Sequence, residues 1–180
     1  MSLKYIDSGI KLPDSFNVII EISMNSDPVK YEVDKDSGVV FVDRFMLTSM
    51  RYPCNYGYIP ETLSDDGDPS DVLVITPYPI QTGTAIKCRA IGLLDMEDES
   101  GQDKKILALP IGKIYPPYNK IISYLDLSKY ELEKIQNFFE HYKDLEKGKW
   151  VKVNKWENID IAHKEILDSH KKYIENSNKS

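Results

Sequence analysis

Four aspartates crowd one short turn, Asp65-Asp66-Gly67-Asp68-Pro69-Ser70-Asp71, just before the apolar run Val72-Leu73-Val74-Ile75. Gly67 and Pro69 suit a tight turn. Like charges held this close repel one another unless a cation sits among them, and hard divalent cations such as Mg²⁺ take oxygen clusters of this kind. The turn is not an EF-hand: counted from Asp66, position 6 is Asp71 rather than Gly, and position 12 is Pro77 rather than Glu. Alone, a turn with two spaced aspartates is more often a solvated acidic loop than a metal site.

A second acidic segment runs from Asp95 through Glu97, Asp98 and Glu99 to Asp103, followed by Lys104 and Lys105. By itself it reads as an exposed hairpin loop. Two acidic loops on neighbouring strands could converge and share metal ions, but periodicity does not reveal such convergence. Basic residues stand where they could complete a site. Lys30 and Glu32 are two apart and share a face of a strand. Glu21, on the preceding strand, could oppose them. Arg44 ends the third strand and Lys143 ends the first helix. Any one of these, alone, reads first as a surface charge. The run Arg51-Tyr52-Pro53-Cys54-Asn55-Tyr56-Gly57-Tyr58-Ile59-Pro60 reads either as an aromatic turn packed on a barrel or as phenols that donate to a polyanion. Tyr142 beside Lys143 allows the same two readings.

The elements that must carry these side chains are mostly strands at first. Phe16 to Ile22, Tyr31 to Asp34, Val39 to Val42, Asp71 to Thr76, Ile86 to Leu94 and Lys105 to Leu109 are apolar or alternating runs bounded by turn residues. Five or more strands joined by irregular turns predict a closed or nearly closed barrel. The last third is helical. Ser128 and Glu131 have capping-box spacing, and Leu132, Ile135, Phe138, Phe139 and Tyr142 form one apolar face. Gly148 marks the exit, and Lys149 to Val153 returns toward the sheet. A second amphipathic helix is expected from Glu157 to about Ile174, with Glu175 to Ser180 a frayed tail. The whole chain reads as one domain of the mainly β type, an OB-like five-stranded barrel flanked by two helices in its C-terminal half.

Composition excludes several classes. The chain has 180 residues, 41% hydrophobic and 29% charged, so it can bury a core and is not disordered. Its net charge of −6 disfavours general binding to nucleic acid or an anionic membrane. No apolar run is long enough to span a bilayer. The start, Met1-Ser2-Leu3-Lys4-Tyr5-Ile6-Asp7, lacks an apolar signal core. The two cysteines, Cys54 and Cys88, form no framework and suit free thiols in a reducing cytosol. No G-x-x-x-x-G-K-[ST] motif is present, so the chain is not a P-loop NTPase. His141, His163 and His170 are not spaced as a zinc set.

From about Phe16 to Trp156 the sequence resembles the family I soluble inorganic pyrophosphatases of the compact bacterial type. The resemblance rests on Asp66-Gly67-Asp68-Pro69-Ser70-Asp71-Val72 and four further blocks in the right order. These are Val29-Lys30-Tyr31-Glu32, Val42-Asp43-Arg44-Phe45, Tyr52 to Pro60, and Phe138-Phe139-Glu140-His141-Tyr142-Lys143-Asp144-Leu145-Glu146. The departures, Arg51 and Gln102 among them, are peripheral. The resemblance implies hydrolysis of pyrophosphate to two phosphates by in-line attack of a metal-bound hydroxide, with several Mg²⁺ ions per site. It implies that Asp66, Asp71 and Asp103 hold the first metal, with Asp71 also reaching a second. Asp98 and Asp103, helped by Glu21, would hold metals that arrive with substrate. Asp68 would accept the proton of the attacking water. Lys30, Arg44, Lys105, Tyr56, Tyr142 and Lys143 would bind the phosphates. Tyr56 and Glu32 would join Asp68 in the catalytic group, Glu32 as part of the polar shell. The resemblance further implies a cytoplasmic homohexamer, with neither nucleic acid nor membrane as partner.

Electrostatics agrees with a metal-loaded site. Seven carboxylates against four cations leave the bare site at −3, which repels a polyphosphate. Four divalent ions bring site and substrate together close to neutral, because bound ions dominate the local field. Two other readings stand beside this one. An OB-like module could stack single-stranded nucleic acid on its tyrosines, against which the charge argues. A structural Ca²⁺-binding or inactive relative is opposed by the full complement of site residues.

Overall fold

A computed structural model of the chain describes residues 2–178. Five strands close into a ring: β1 (Phe16–Ile22), β4 (Asn55–Tyr58), β5 (Asp71–Val74), β8 (Lys105–Pro110) and β6 (Ala85–Asp98), with β6 returning to β1. Neighbours around the ring are antiparallel except β5 and β8, which run parallel. A separate hairpin joins β2 (Val29–Val33) and β3 (Val40–Phe45). The two-residue β7 (Gly101–Gln102) and the longer β9 (Val151–Glu157) both pair with the far half of β6. Helix α1 (Lys129–His141) precedes β9, and α2 (Ile159–Ser177) follows it.

The apolar runs are continuous because both faces of the ring strands are covered. Val72, Val74, Ile106 and Ala108 pack with Phe16, Val18 and Ile20 under Ala162 and Ile166 of α2. The alternate residues Leu73, Leu107 and Leu109 pack with Tyr56 under Ile135, Phe138 and Phe139 of α1. The Ser128 hydroxyl accepts from Glu131 N–H at 3.2 Å and the Glu131 carboxylate accepts from Ser128 N–H at 3.1 Å, as the capping-box spacing predicts.

The barrel and its two helices are as expected, but its membership is not. The hairpin β2–β3 stands outside the ring, and Asn55–Tyr58, expected as an aromatic turn, is a ring strand. Its cause is local. Asn55, fully buried, accepts from Met24 N–H and Ile80 N–H at 3.0 and 2.9 Å and donates to Thr76 Oγ1 at 2.7 Å, stitching three segments together. Gly57 lies so close to β1 that a Cβ there would fall 2.0 Å from the Ile19 carbonyl oxygen. Strand β3 runs on through Arg44 to Phe45. The acidic segment expected as a loop is strand as far as Asp98, with Met96 fully buried. Strand β9 extends to Glu157, so α2 starts at Ile159. Helix α2 then continues to Ser177. Of the expected frayed tail, Lys179 and Ser180 lie outside the described residues, as does Met1 of the N-terminal reading.

Candidate active site

All the residues singled out from the sequence line one cleft of about 760 Å³ at one end of the barrel. Parallel pairing places Asp71, the first residue of β5, opposite Lys105, the first of β8. The Lys105 ammonium then lies 2.5 Å from Asp71 and 2.5 Å from Asp103. Lys105 is 3% exposed. Burial alone would lower its pKa, but the two carboxylates outweigh that and raise it well above the usual lysine value, so it is charged. Asp103 is raised: burial and the nearby Asp71 outweigh the help of Lys105.

The loop before β5 brings two more acids to the same wall. Gly67 turns it with φ +91. Asp68 N–H donates to Asp66 Oδ1 at 3.0 Å, and Ser64 N–H donates to the Asp68 carbonyl at 2.7 Å. The Asp66 carboxyl is raised, first by burial and then by Asp71, Asp68 and Asp103. Glu21 sits at a bulge of β1 between Ile20 and Ile22. It lines the same cleft as Lys30 and Glu32, and its own hydrogen bonds go further along β2 and its turn. Its carboxylate accepts from Val33 N–H at 2.8 Å and Lys35 Nζ at 3.3 Å, and burial raises its pKa despite Lys35.

The opposite wall is cationic. Lys30 and Glu32 share a face of β2 and meet at 2.6 Å. Arg44 pairs with Lys30 across the hairpin and bonds Asp43 at 2.9 Å and Glu146 at 3.4 Å. Its Nε is buried with no hydrogen-bond partner. Helix α1 ends at His141, so Tyr142 caps it and Lys143 follows in the turn. Lys143 reaches Asp98 at 2.8 Å. Between the walls, Tyr52 lies 5.2 Å from Tyr56 and 6.4 Å from Tyr142, ring to ring. Burial raises all three phenols, which therefore stay protonated and can donate.

The cleft also holds Tyr52, Lys35, Asp43, Glu99 and Lys149, which sequence reasoning did not single out. Tyr52 and Asp43 stood inside motifs already noted, and Glu99 inside the second acidic segment. Lys35 and Lys149 carried no local signal. Lys149 meets Glu99 at 2.6 Å. Burial pushes the Glu99 carboxyl up, but Lys149 and Lys143 win and hold it at about 2. The histidines do not converge: His141 bonds Asp144 at 2.9 Å, while His170 Nδ1 lies 2.8 Å from the Glu61 carbonyl oxygen.

An acid wall of strand and loop carboxylates therefore faces a wall of lysine and arginine across donating phenols. Residues 18–174 match the family model described as inorganic pyrophosphatase. The chain belongs to the inorganic pyrophosphatase family. The inorganic pyrophosphatase of Vibrio vulnificus (strain YJ016) is 55% identical over 172 residues, which cover 96% of this chain and 98% of that one. That of Escherichia coli (strain K12) is 56% identical over 169 residues, 94% of this chain and 96% of its own. The solved inorganic pyrophosphatase of Coxiella burnetii superposes with a TM-score of 0.91 at 52% identity, covering 93% of this chain and 99% of that one.

Membership of the pyrophosphatase family implies dependence on a divalent metal, and the donor set fits one. The acid wall offers only carboxylate oxygens, the ligands hard cations take. Asp66 and Asp103 are raised, first by burial and then by neighbouring carboxylates, so a bound cation would favour their charged forms. Among the described residues no three His, Cys, Asp or Glu side chains are placed so that together they could hold a metal ion, so the fit rests on the chemistry of the donors. Lys105 is the internal cation between Asp71 and Asp103.

Proposed function

We propose that this chain hydrolyses inorganic pyrophosphate to two phosphates with Mg²⁺ as activator. The observation that carries the reading is the single cleft in which Asp66, Asp68, Asp71 and Asp103 face Lys30, Arg44 and Lys143. Asp66, Asp71 and Asp103 are suited to hold the first ion, with Asp71 reaching a second. Asp98, Asp103 and Glu21 are suited to ions that enter with substrate. Bound Mg²⁺ supplies positive charge that lowers the pKa of nearby water and neutralises phosphate oxygens. Asp68, exposed on its loop, accepts the proton of the attacking water. An O–P bond forms in line, the bridging P–O bond breaks, and the leaving phosphate takes the electron pair.

Arg44, with its unpartnered Nε, and Lys30 bind the phosphates from the hairpin. Lys143 does so from the turn after α1, and Lys105 from the acid wall. Tyr56 and Tyr142 donate phenol hydrogens to phosphate oxygens, and Glu32 orients Lys30 through its 2.6 Å pair. Buried, free Cys54 and Cys88 suit a cytoplasmic setting. Among the described residues no helix is long and apolar enough to cross a membrane. Exposed Phe45, Leu47, Ile122 and Leu125 suit burial in a homohexamer, which light scattering would test. Phosphate release from pyrophosphate, measured in excess Mg²⁺ and in EDTA, tests the activity. Fast release only with Mg²⁺ is expected; release unaffected by EDTA, or none from folded protein in Mg²⁺, overturns it.

A further inference from the structure

Among the described residues, none of α2 lines the cleft. Yet this helix holds the acidic loop at several points. Ser169 is 1% exposed and Ser70 is 2% exposed. Ser70 Oγ donates to Ser169 Oγ at 2.8 Å, and Ser169 Oγ donates to the Ile166 carbonyl at 3.1 Å. Ser64 Oγ lies 3.1 Å from Ser70 Oγ. With Ser64 as donor there, the three hydroxyls form one directional chain ending on a helix carbonyl. Buried Thr62 supports the same residue: it donates to the Ile59 carbonyl at 2.6 Å and accepts from Ser70 N–H at 2.9 Å. Leu63 N–H donates to the Ser169 carbonyl at 2.9 Å.

Charged contacts from the same helix flank this buried link. Glu165, Ser169 and Lys172 recur at helical spacing and share a face. Glu165 meets Lys104 at 2.8 Å, next to both Asp103 and Lys105. Lys172 pairs with Asp65, the first acid of the loop. Within the loop, Ser64 N–H donates to the Asp68 carbonyl and Asp68 N–H donates to Asp66, but its tip is open. Nothing lies within 4 Å of where a Gly67 side chain would begin. Ser70 stands one residue from Asp71 and two from Asp68, so its placement sets theirs. Burying these hydroxyls would be costly if they were unpaired, so removing one partner of the Ser70–Ser169 bond leaves the other in need of a new one.

We propose that Ser70 and Ser169 are positioning residues: through their hydrogen bond, α2 braces the acidic loop and keeps Asp66, Asp68 and Asp71 at the spacing a divalent cation requires. This rests on the reading that those carboxylates hold the activating metal. The test is Mg²⁺ titration by calorimetry on Ser70→Ala, Ser169→Ala and the double variant. Ser128→Ala, which removes the distant α1 cap, is the control for plain destabilisation.

Each single variant is expected to weaken Mg²⁺ binding about three- to tenfold, the size one hydrogen bond confers. The double variant is expected to be no weaker than either single, because the pair acts as one unit. Ser128→Ala is expected to lower the Tm without moving Mg²⁺ affinity. Ser169→Cys, which keeps the volume and weakens the bond, replaces Ser169→Ala if the latter does not fold. Mg²⁺ affinity within twofold of the parent in the serine variants, with only Tm lowered, overturns the brace. If the parent chain itself binds no Mg²⁺, the metal reading fails first.

Discussion

The two walls of the cleft are built differently. The acid wall stands on the barrel: Asp71 and Lys105 open paired ring strands, and the loop of Asp66 and Asp68 is tied to α2 through Ser70 and Ser169. The cationic wall stands on the periphery. Lys30 and Arg44 ride a two-stranded hairpin outside the ring, and Lys143 follows the end of α1. Phe41 and Phe45 of that hairpin are 56% and 74% exposed, whereas Val72 and Leu73 beside Asp71 are fully buried. Chelation tolerates little error in ligand position, so on the proposed reading the metal ligands belong on the buried barrel, whereas phosphate held by long lysine and arginine side chains tolerates more and suits the exposed hairpin.

Several substitutions break or sharpen this contrast. The largest effect is expected at Asp68. Asp68→Asn keeps the shape and removes the proposed proton acceptor, so turnover is expected to fall about 10²–10⁴-fold. Circular dichroism and Mg²⁺ titration should show fold and metal binding retained. Undiminished phosphate release in this variant would remove Asp68 from its role. Lys105→Met comes next. It leaves Asp71 and Asp103 without their internal cation, and breaking a buried pair costs about 3–5 kcal/mol. Denaturant melts in EDTA should show that loss, and excess Mg²⁺ should recover part of it. A variant as stable as the parent in EDTA would mean the pair is already screened by water.

On the other wall the effects are smaller. Arg44→Lys keeps the charge and loses the planar fork. Steady-state kinetics should show KM raised about tenfold, an effect of roughly 1.4 kcal/mol, with Tm little changed. A Tm drop comparable to that of Lys105→Met would contradict the contrast.

The smallest effect concerns the hairpin turn itself. Hydrogen bonds from the Ser37 hydroxyl and the Ser37 N–H hold the Asp34 carboxyl below its usual 3.8. A lowered carboxyl contributes stability that is present above 3.8 and lost as pH falls through its folded value. Amide protection at Gly38 and Val39, corrected for the intrinsic exchange rate at each pH, should therefore fall on acidification before that of the barrel strands. Equal protection of turn and barrel across that range would remove the distinction.

The same contrast decides what was legible in the sequence. Ring strands such as Asp71–Val74 and Lys105–Pro110 read clearly because both faces are buried and the residues are β-branched or apolar. Asn55–Tyr58 did not, because Asn55 serves as a bridge and Gly57 permits a close backbone approach, neither of which has strand character. The capping box of α1 read correctly because it is local. The Asp71–Lys105 partnership joins residues 34 apart in sequence, and no local pattern encodes a parallel pairing. Family resemblance, carried by five ordered blocks, singled out the residues that share the cleft. It passed over Lys35 and Lys149, which flank those blocks.

The most direct test is one calorimetric comparison: Mg²⁺ titrated into Asp71→Asn and into Arg44→Ala, each checked for folding. If, as proposed, the acid wall takes metal and the cationic wall takes phosphate, Asp71→Asn should lose most of the binding heat while Arg44→Ala keeps it. Equal Mg²⁺ binding in the two variants, or a greater loss in Arg44→Ala, would contradict the division of the cleft into a metal wall and a phosphate wall.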